Sequence, residues 1–160
     1  MGHVRIRIDD GTWNHAPKGR RREWTAVIED LEREELTLPA GSDELIASLT
    51  AEGFELTARG EGKELGRAAI PRDKLAPHIQ EYVDIVRQMQ NVDAGLGSSR
   101  LEALDMAKKV AHDDAGRTIE RRCRALGVDH ATARRLFTLL FSLRVDTSHL
   151  LGVRGHRPVR

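Results

Sequence analysis

The last regular segment of the chain, between Asp129 and Arg144, most constrains the fold. Its apolar residues would cover most of the circumference of a helix, and they are Leu136, Phe137, Leu139, Leu140, Phe141 and Leu143. A helix that is apolar on nearly every side is stable only when other elements surround it. Asp129 is well placed to cap its first turn. We therefore expect this helix to be the central element of the molecule.

The N-terminal half alternates between strand and helix patterns. Val4, Ile6 and Ile8 alternate with charged residues, which predicts a strand over residues 3–9. Apolar residues at helical spacing then predict an amphipathic helix over residues 20–35. Alternation resumes between Leu45 and Ile70, with turn signals near residues 52–53 and 60–62. These signals predict three consecutive antiparallel strands, with the first strand free to pair at an edge.

Two further helices precede the central one. The first opens at Pro71 and runs to about Gln90. The second begins at Ser99, which forms a capping-box pattern with Glu102, and continues towards Leu126, although Gly116 could divide it. The sequence therefore predicts an α+β fold with a small antiparallel sheet of about four strands packed by helices, in the order β-α-β-β-β-α-α-α.

A length of 160 residues is typical of one domain. We expect a single α+β domain over residues 1–144, followed by a basic C-terminal tail over residues 145–160. The tail has one apolar cluster and three arginines, so it is a candidate interaction segment, and its candidate contact residues are Leu150, Leu151, Val153, Arg154, Arg157 and Arg160.

Cysteine usage and hydropathy indicate the compartment. Cys123 is the single cysteine, so the chain alone can form neither a disulfide nor a thiolate zinc cluster. No apolar run approaches the roughly 20 residues that cross a bilayer. We expect a cytoplasmic protein without membrane insertion.

Charge is divided unevenly along the chain. Residues 1–99 carry a net charge of −5 and residues 100–160 a net charge of +6. This division is compatible with docking of the two halves, with self-association, or with a polyanionic partner. Basic residues cluster in the C-terminal half at Arg117, Arg121, Arg122 and Arg124, without the interleaved aromatics on which single-stranded nucleic acids stack.

One helix face combines several polar groups. Glu102, Asp105, Lys109 and His112 share an arc of about 80° on the helix that starts at Ser99. They could form a metal- or small-ligand-binding site, or a solvated face with an Asp105–Lys109 pair at i, i+4. Arg134 and Arg135 in the last helix could recognise an anion, or clamp Glu102 and Asp105 structurally.

A possible anion site lies where the glycine-serine loop enters this helix, and its candidate contacts are Ser98, Ser99 and Arg100. The alternative is a linker that ends in a helix cap. The loop has neither a preceding strand of the dinucleotide-binding type nor a following lysine-serine pair. No Gly-x-Ser-x-Gly, His-Glu-x-x-His or paired-cysteine motif is present, so we expect no enzymatic activity, no cofactor and no bound metal.

Three groups of residues carry a family resemblance. These are the run from Leu101 to Met106, then His112 and Asp114, and the run from Thr132 to Leu139. With them the chain resembles uncharacterised protein family 0262, a bacterial family, most closely over residues 98–143. The resemblance implies a shared fold. It implies no reaction, ligand or catalytic residue.

Our leading hypothesis is a non-catalytic protein–protein interaction or regulatory module that forms a homodimer. The first alternative is RNA or DNA binding through the basic C-terminal half. The second is a metal- or small-ligand-binding protein that uses Glu102, Asp105 and His112.

Overall fold

The computed structural model describes residues 3–17, 19–92 and 98–146, which form an α+β fold. Its elements, in chain order, are β1 (Arg5–Ile8), α1 (Asp10–Asn14), α2 (Arg20–Glu32), β2 (Glu44–Leu49), β3 (Gly53–Gly60), β4 (Lys63–Pro71), α3 (Arg72–Gln90), α4 (Ser98–Arg122), a 3-10 turn (Arg124–Leu126) and α5 (His130–Arg144). The predicted class and the order of strands and long helices are confirmed. The short helix α1 is an addition, between the predicted first strand and the predicted helix over residues 20–35.

The four strands form one sheet in the order β1-β2-β3-β4. The pairs β2–β3 and β3–β4 are antiparallel, as predicted, and β1 lies at the edge. However, β1 pairs with β2 in parallel, with Arg5 opposite Glu44 and Ile8 opposite Ala47. The sheet is therefore mixed rather than purely antiparallel. The reason is the connection between these strands, because it contains α2 and returns the chain to the end of the sheet from which β1 started.

The predicted central helix is α5. Nine of its fifteen residues are buried, and the helix contacts α2, α4 and β2. Leu136, Leu139 and Leu140 have no exposed surface. Burial on this scale offsets much of the conformational entropy that the chain loses on folding.

Both ends of α5 are held by the N-terminal half of the chain. At its C-terminal end, Arg20 Nη2 donates to the carbonyl oxygens of Ser142 and Leu143 at 2.8 and 3.2 Å, and Trp24 Nε1 donates to the Ser142 oxygen at 2.8 Å. These bonds satisfy carbonyls that the helix leaves without an internal partner. At the other end Asp129 is the N-cap, as predicted, and the hydrogen bond from the Thr132 N–H lowers the pKa of this carboxyl. Asp129 Oδ2 also accepts a hydrogen bond from Thr37 Oγ1 of the N-terminal half at 3.1 Å.

Helix α4 packs against both α3 and α5. It runs without a break through Gly116 and begins at Ser98, so Ser99 lies inside its first turn rather than at the predicted cap. The chain then turns at Gly127, which adopts the left-handed conformation with a φ of 63° and ends the 3-10 turn. In the described ranges, no helix is both long and apolar enough to cross a bilayer.

Candidate functional site

The polar face predicted on α4 is divided between solvent and the protein interior. Asp105 Oδ2 lies 3.3 Å from Lys109 Nζ, and the side chains are 48% and 66% exposed. Glu102 is also exposed. The solvated i, i+4 pair is therefore the arrangement observed for Asp105 and Lys109. Such an exposed pair contributes little to stability.

His112 points inward, into the interface of α3, α4 and α5. Its Nε2 atom lies 3.2 Å from Thr138 Oγ1 of α5. Its ring meets those of Tyr82 and Phe137 edge-on, with centroid distances of 5.8 and 5.3 Å. Burial, and then the nearby Arg134 guanidinium, lower the pKa of His112 to about 4. The imidazole is therefore neutral at physiological pH.

The His112–Thr138 pair resembles a base next to a hydroxyl nucleophile. The adjoining cavity has a volume of about 10 Å³ and is lined by Tyr82, His112, Phe137, Thr138 and Phe141. A cavity of this size holds about one water molecule and no substrate. The His112 Nδ1 atom is buried and has no hydrogen-bond partner among the described residues, so none of them orients the imidazole as catalytic triads require. We conclude that the pair supports packing.

The two arginines of α5 do not contact the carboxylates that we predicted. Arg134 Nε lies 3.2 Å from Asp113 Oδ1 but makes no hydrogen bond to a described residue. Arg135 Nη2 lies 3.1 Å from Glu34 Oε1. The predicted clamp on Glu102 and Asp105 is therefore wrong. The prediction was wrong because the start of α5 lies beside the C-terminal half of α4, two turns beyond Asp105.

Asp113 is the centre of the polar contacts between α4 and α5. It accepts a hydrogen bond from His130 Nε2 at 2.9 Å and lies 3.2 Å from Arg117 Nη2. The hydrogen bond from His130, and then the nearby arginines, hold the pKa of Asp113 below its usual value. Sequence reasoning missed Asp113 and His130. The i, i+4 spacing of Asp113 and Arg117 was the one signal that could have indicated the first.

Three polar groups on one helix face suggested a metal site, and the geometry does not support it. Asp105 is paired with Lys109, and His112 is turned towards Thr138. Across the part of the chain that the structure describes, no three His, Cys, Asp or Glu side chains are grouped so that they could hold a metal ion.

Cys123 is buried at the end of α4, and burial raises the pKa of its thiol to about 12. The thiolate, which is the reactive form of cysteine, is therefore scarce at neutral pH.

The two remaining predicted regions lie partly or wholly outside the described residues. At the start of α4, Arg100 Nη2 donates to Gln88 Oε1 of α3 at 3.2 Å, so the guanidinium joins two helices. The glycine loop that would complete an anion site at Ser98 and Ser99 falls outside the described residues. So does the candidate interaction tail, with Leu150, Leu151, Val153, Arg154, Arg157 and Arg160.

The solvent side of α4 carries apolar residues that sequence reasoning did not single out. Met106 is 61% exposed and Val110 is 51% exposed, and Ala103 is exposed one turn before them. Met106 and Val110 are about 40° apart around the helix, so their side chains are neighbours. We call Ala103, Met106 and Val110 the outer face of α4. Leu101, 41% exposed, lies on another side of the same helix.

Comparison with known proteins gives a family without an assigned activity. The chain is 26% identical over 144 residues to a UPF0262 protein of Bradyrhizobium sp. (strain ORS 278), with 86% of both chains covered. It is 30% identical over 149 residues to one from Jannaschia sp., covering 88% of this chain and 96% of the relative. A match to a protein of Methylobacterium radiotolerans reaches 38% identity, over 41% of each chain.

No solved structure matches the chain. The model of the uncharacterised protein family UPF0262 matches residues 3–146, which include every described residue. The chain therefore belongs to the uncharacterised protein family UPF0262.

Proposed function

We propose that this protein acts by binding rather than by catalysis, as a self-associating module whose homodimer contact is the outer face of α4. The observation that carries the proposal is the exposure of Met106 and Val110, at 61% and 51%, on adjacent turns of one helix. Isolated apolar residues are common on protein surfaces. Neighbouring ones on a helix exterior more often mark a contact with another molecule.

The position of these residues on a long helix favours a partner helix. Helix α4 has 25 residues, and its opposite side is already occupied by α3 and α5. Ala103 is small, so a second helix could approach closely there. Covering Met106 and Val110 would remove apolar surface from water, which stabilises association by roughly 25 cal/mol per Å² before the entropic cost of association.

The charges beside the outer face favour a second copy of the chain as that partner. Met106 and Val110 have their midpoint at residue 108, and Asp105 and Lys109 have theirs at residue 107. A two-fold axis near these positions, relating antiparallel copies of α4, places Met106 opposite Val110 of the partner. It also brings Asp105 close to the oppositely charged Lys109 of the partner. Such self-complementarity is what a two-fold dimer requires.

The test is the oligomeric state of the full chain, measured by sedimentation equilibrium over a range of protein concentrations. We expect a monomer–dimer equilibrium that the double variant Met106→Glu/Val110→Glu shifts to monomer, since it places charges in the contact. Leu101→Glu is the matched control. It adds a carboxylate at another exposed apolar position of α4, outside the outer face, and should leave the dissociation constant within about twofold.

Two results would contradict the proposal. The first is a wild-type chain that is monomeric at all concentrations. The second is a dimer that Leu101→Glu weakens as much as the double variant does. Circular dichroism of each variant separates loss of association from loss of folding.

A further inference from the structure

A cavity of about 510 Å³ lies at the C-terminal end of α4, and it is lined by Arg117, Glu120, Arg121, Arg124, Gly127 and Val128. We call it the arginine cavity, because half of these residues are arginines. Its volume falls within the range of small-molecule sites. It lies in the C-terminal half of the chain, where the net positive charge is concentrated.

The three arginines differ in how far their charge is already neutralised. Arg117 is paired twice within α4, at 3.2 Å from Asp113 and 2.8 Å from Asp114. In the part of the chain that the structure describes, Arg121 Nη2 donates only to the neutral hydroxyl of Thr118, at 3.2 Å. Within the described residues, neither Arg121 nor Arg124 forms an ion pair, so two unpaired guanidinium groups line one cavity.

Helix electrostatics explain only part of this arrangement. A positive charge in the last turn of a helix is favourable because it opposes the negative end of the helix dipole, and this accounts for Arg121. Arg124 lies beyond α4, in the 3-10 turn. There it lines the same cavity as Arg121, outside the helix whose dipole favours a positive charge. An anion bound between the two guanidinium groups would accept hydrogen bonds from both.

The remaining lining residues indicate the size of the ligand. Glu120 reaches the same cavity, and its Oε1 atom lies 3.5 Å from His130 Nδ1. A carboxylate beside the arginines would accept hydrogen bonds from ligand hydroxyls, but it would repel the many phosphates of a nucleic-acid strand. Among the described residues that line the cavity, none is an aromatic on which a base could stack. These features favour a small ligand with few charges.

We propose that the arginine cavity binds phosphate, either as the free ion or as the ester of a small hydroxylated molecule, with Arg121 and Arg124 as the anion contacts. Arginine forks match the geometry of phosphate oxygens and remain charged at any physiological pH. This site does not depend on self-association through the outer face of α4.

The test is isothermal titration calorimetry of the full chain at low ionic strength, with inorganic phosphate and with glycerol 3-phosphate as the two probes. We expect saturable binding of at least one probe, and an affinity at least about tenfold weaker in Arg121→Gln/Arg124→Gln, because two charge-assisted contacts are lost. The control is Arg122→Gln, which removes a charge from an exposed arginine that does not line the cavity, and it should change the affinity by less than about twofold.

The two probes distinguish the sources of phosphate. If glycerol 3-phosphate binds more tightly than inorganic phosphate, and Glu120→Gln lowers its affinity to that of inorganic phosphate, the ligand is an ester whose hydroxyls contact Glu120. Equal binding of both probes identifies the free ion. Thermal unfolding of each variant without ligand verifies that its fold is intact.

Three results would overturn the proposal. One is the absence of saturable binding of either probe. Another is an equal loss of affinity in Arg122→Gln, which indicates diffuse attraction to the positive surface. The last is steeply salt-dependent binding of a single-stranded oligonucleotide together with no phosphate binding, which would make nucleic acid the ligand instead.

Discussion

At the scale of single residues, His112 shows how a side chain predicted to be polar surface can become part of a core. It is neutral, its Nε2 contacts Thr138, and aromatic rings surround it. An imidazole in this environment contributes packing as a neutral ring and opposes folding once it is protonated. The position of His112 therefore makes stability depend on pH.

The pKa of His112 falls from 6.5 in the unfolded chain to about 4 in the folded protein. Between these values the unfolded chain binds more protons, so the free energy of unfolding decreases as the pH falls through this window. We expect a loss of roughly 2 kcal/mol between pH 7 and pH 5 from this group. Urea unfolding at both pH values should show that loss in the wild type and in the exposed control His15→Gln, and a clearly smaller one in His112→Gln. An unchanged pH dependence in His112→Gln would contradict the assignment.

Residue-level contacts were predictable from the sequence where they depend on one helix alone. The Asp105–Lys109 pair follows from i, i+4 spacing. The partners of Arg134 and Arg135 were not predictable, because they depend on how far α5 is shifted along α4 and on where Glu34 lies after α2. Spacing along one helix contains no information about either. The inward orientation of His112 was not predictable from the sequence for the same reason.

At the scale of elements, α4 and α5 approach each other closely at Gly116. A Cβ atom added there would lie 2.7 Å from Arg134 Cγ and 3.4 Å from Arg134 Cα. The same glycine that could have divided α4 instead lets a second helix approach it, and α4 continues unbroken. Exchanging glycine for alanine within a helix normally stabilises it by up to about 1 kcal/mol.

For Gly116→Ala we expect the opposite sign, because the added methyl group must displace Arg134. The free energy of unfolding should fall by about 1–3 kcal/mol, as measured by urea denaturation. Arg134→Ala removes the atom that would be struck, so in that background Gly116→Ala should be less harmful by at least about 0.5 kcal/mol. Equal effects in both backgrounds would show that Arg134 is not the obstacle.

Elements with strong periodicity were predicted well, and those without it were not. Alternation and helical spacing placed β2, β3, β4, α2, α3 and α5 close to their observed bounds. Helix α1 has five residues, too few to show a helical period, and it starts from a local bond between Asp9 and the Gly11 N–H. The parallel direction of β1 depends on the route of the chain through α2, which no pattern within the strand records.

At the scale of the whole molecule, the family match ends before the basic C-terminal segment. The family model matches residues 3–146. Val145, immediately before that point, packs against the core. The basic segment that follows is therefore expected to add to function rather than to the stability of the domain.

Removing residues 147–160 tests this division directly. The shortened chain should unfold in urea with the same midpoint and the same slope as the full chain, because the slope reports the surface exposed on unfolding. A lower midpoint would show that the segment completes the domain.

Sedimentation of the same variant bears on self-association, since Leu150, Leu151 and Val153 could provide a competing apolar contact. If the shortened chain still dimerises, and Met106→Glu/Val110→Glu abolishes that dimer, the contact is on α4. If truncation alone yields a stable monomer, the contact is on the tail, and the exposed residues of α4 require another partner.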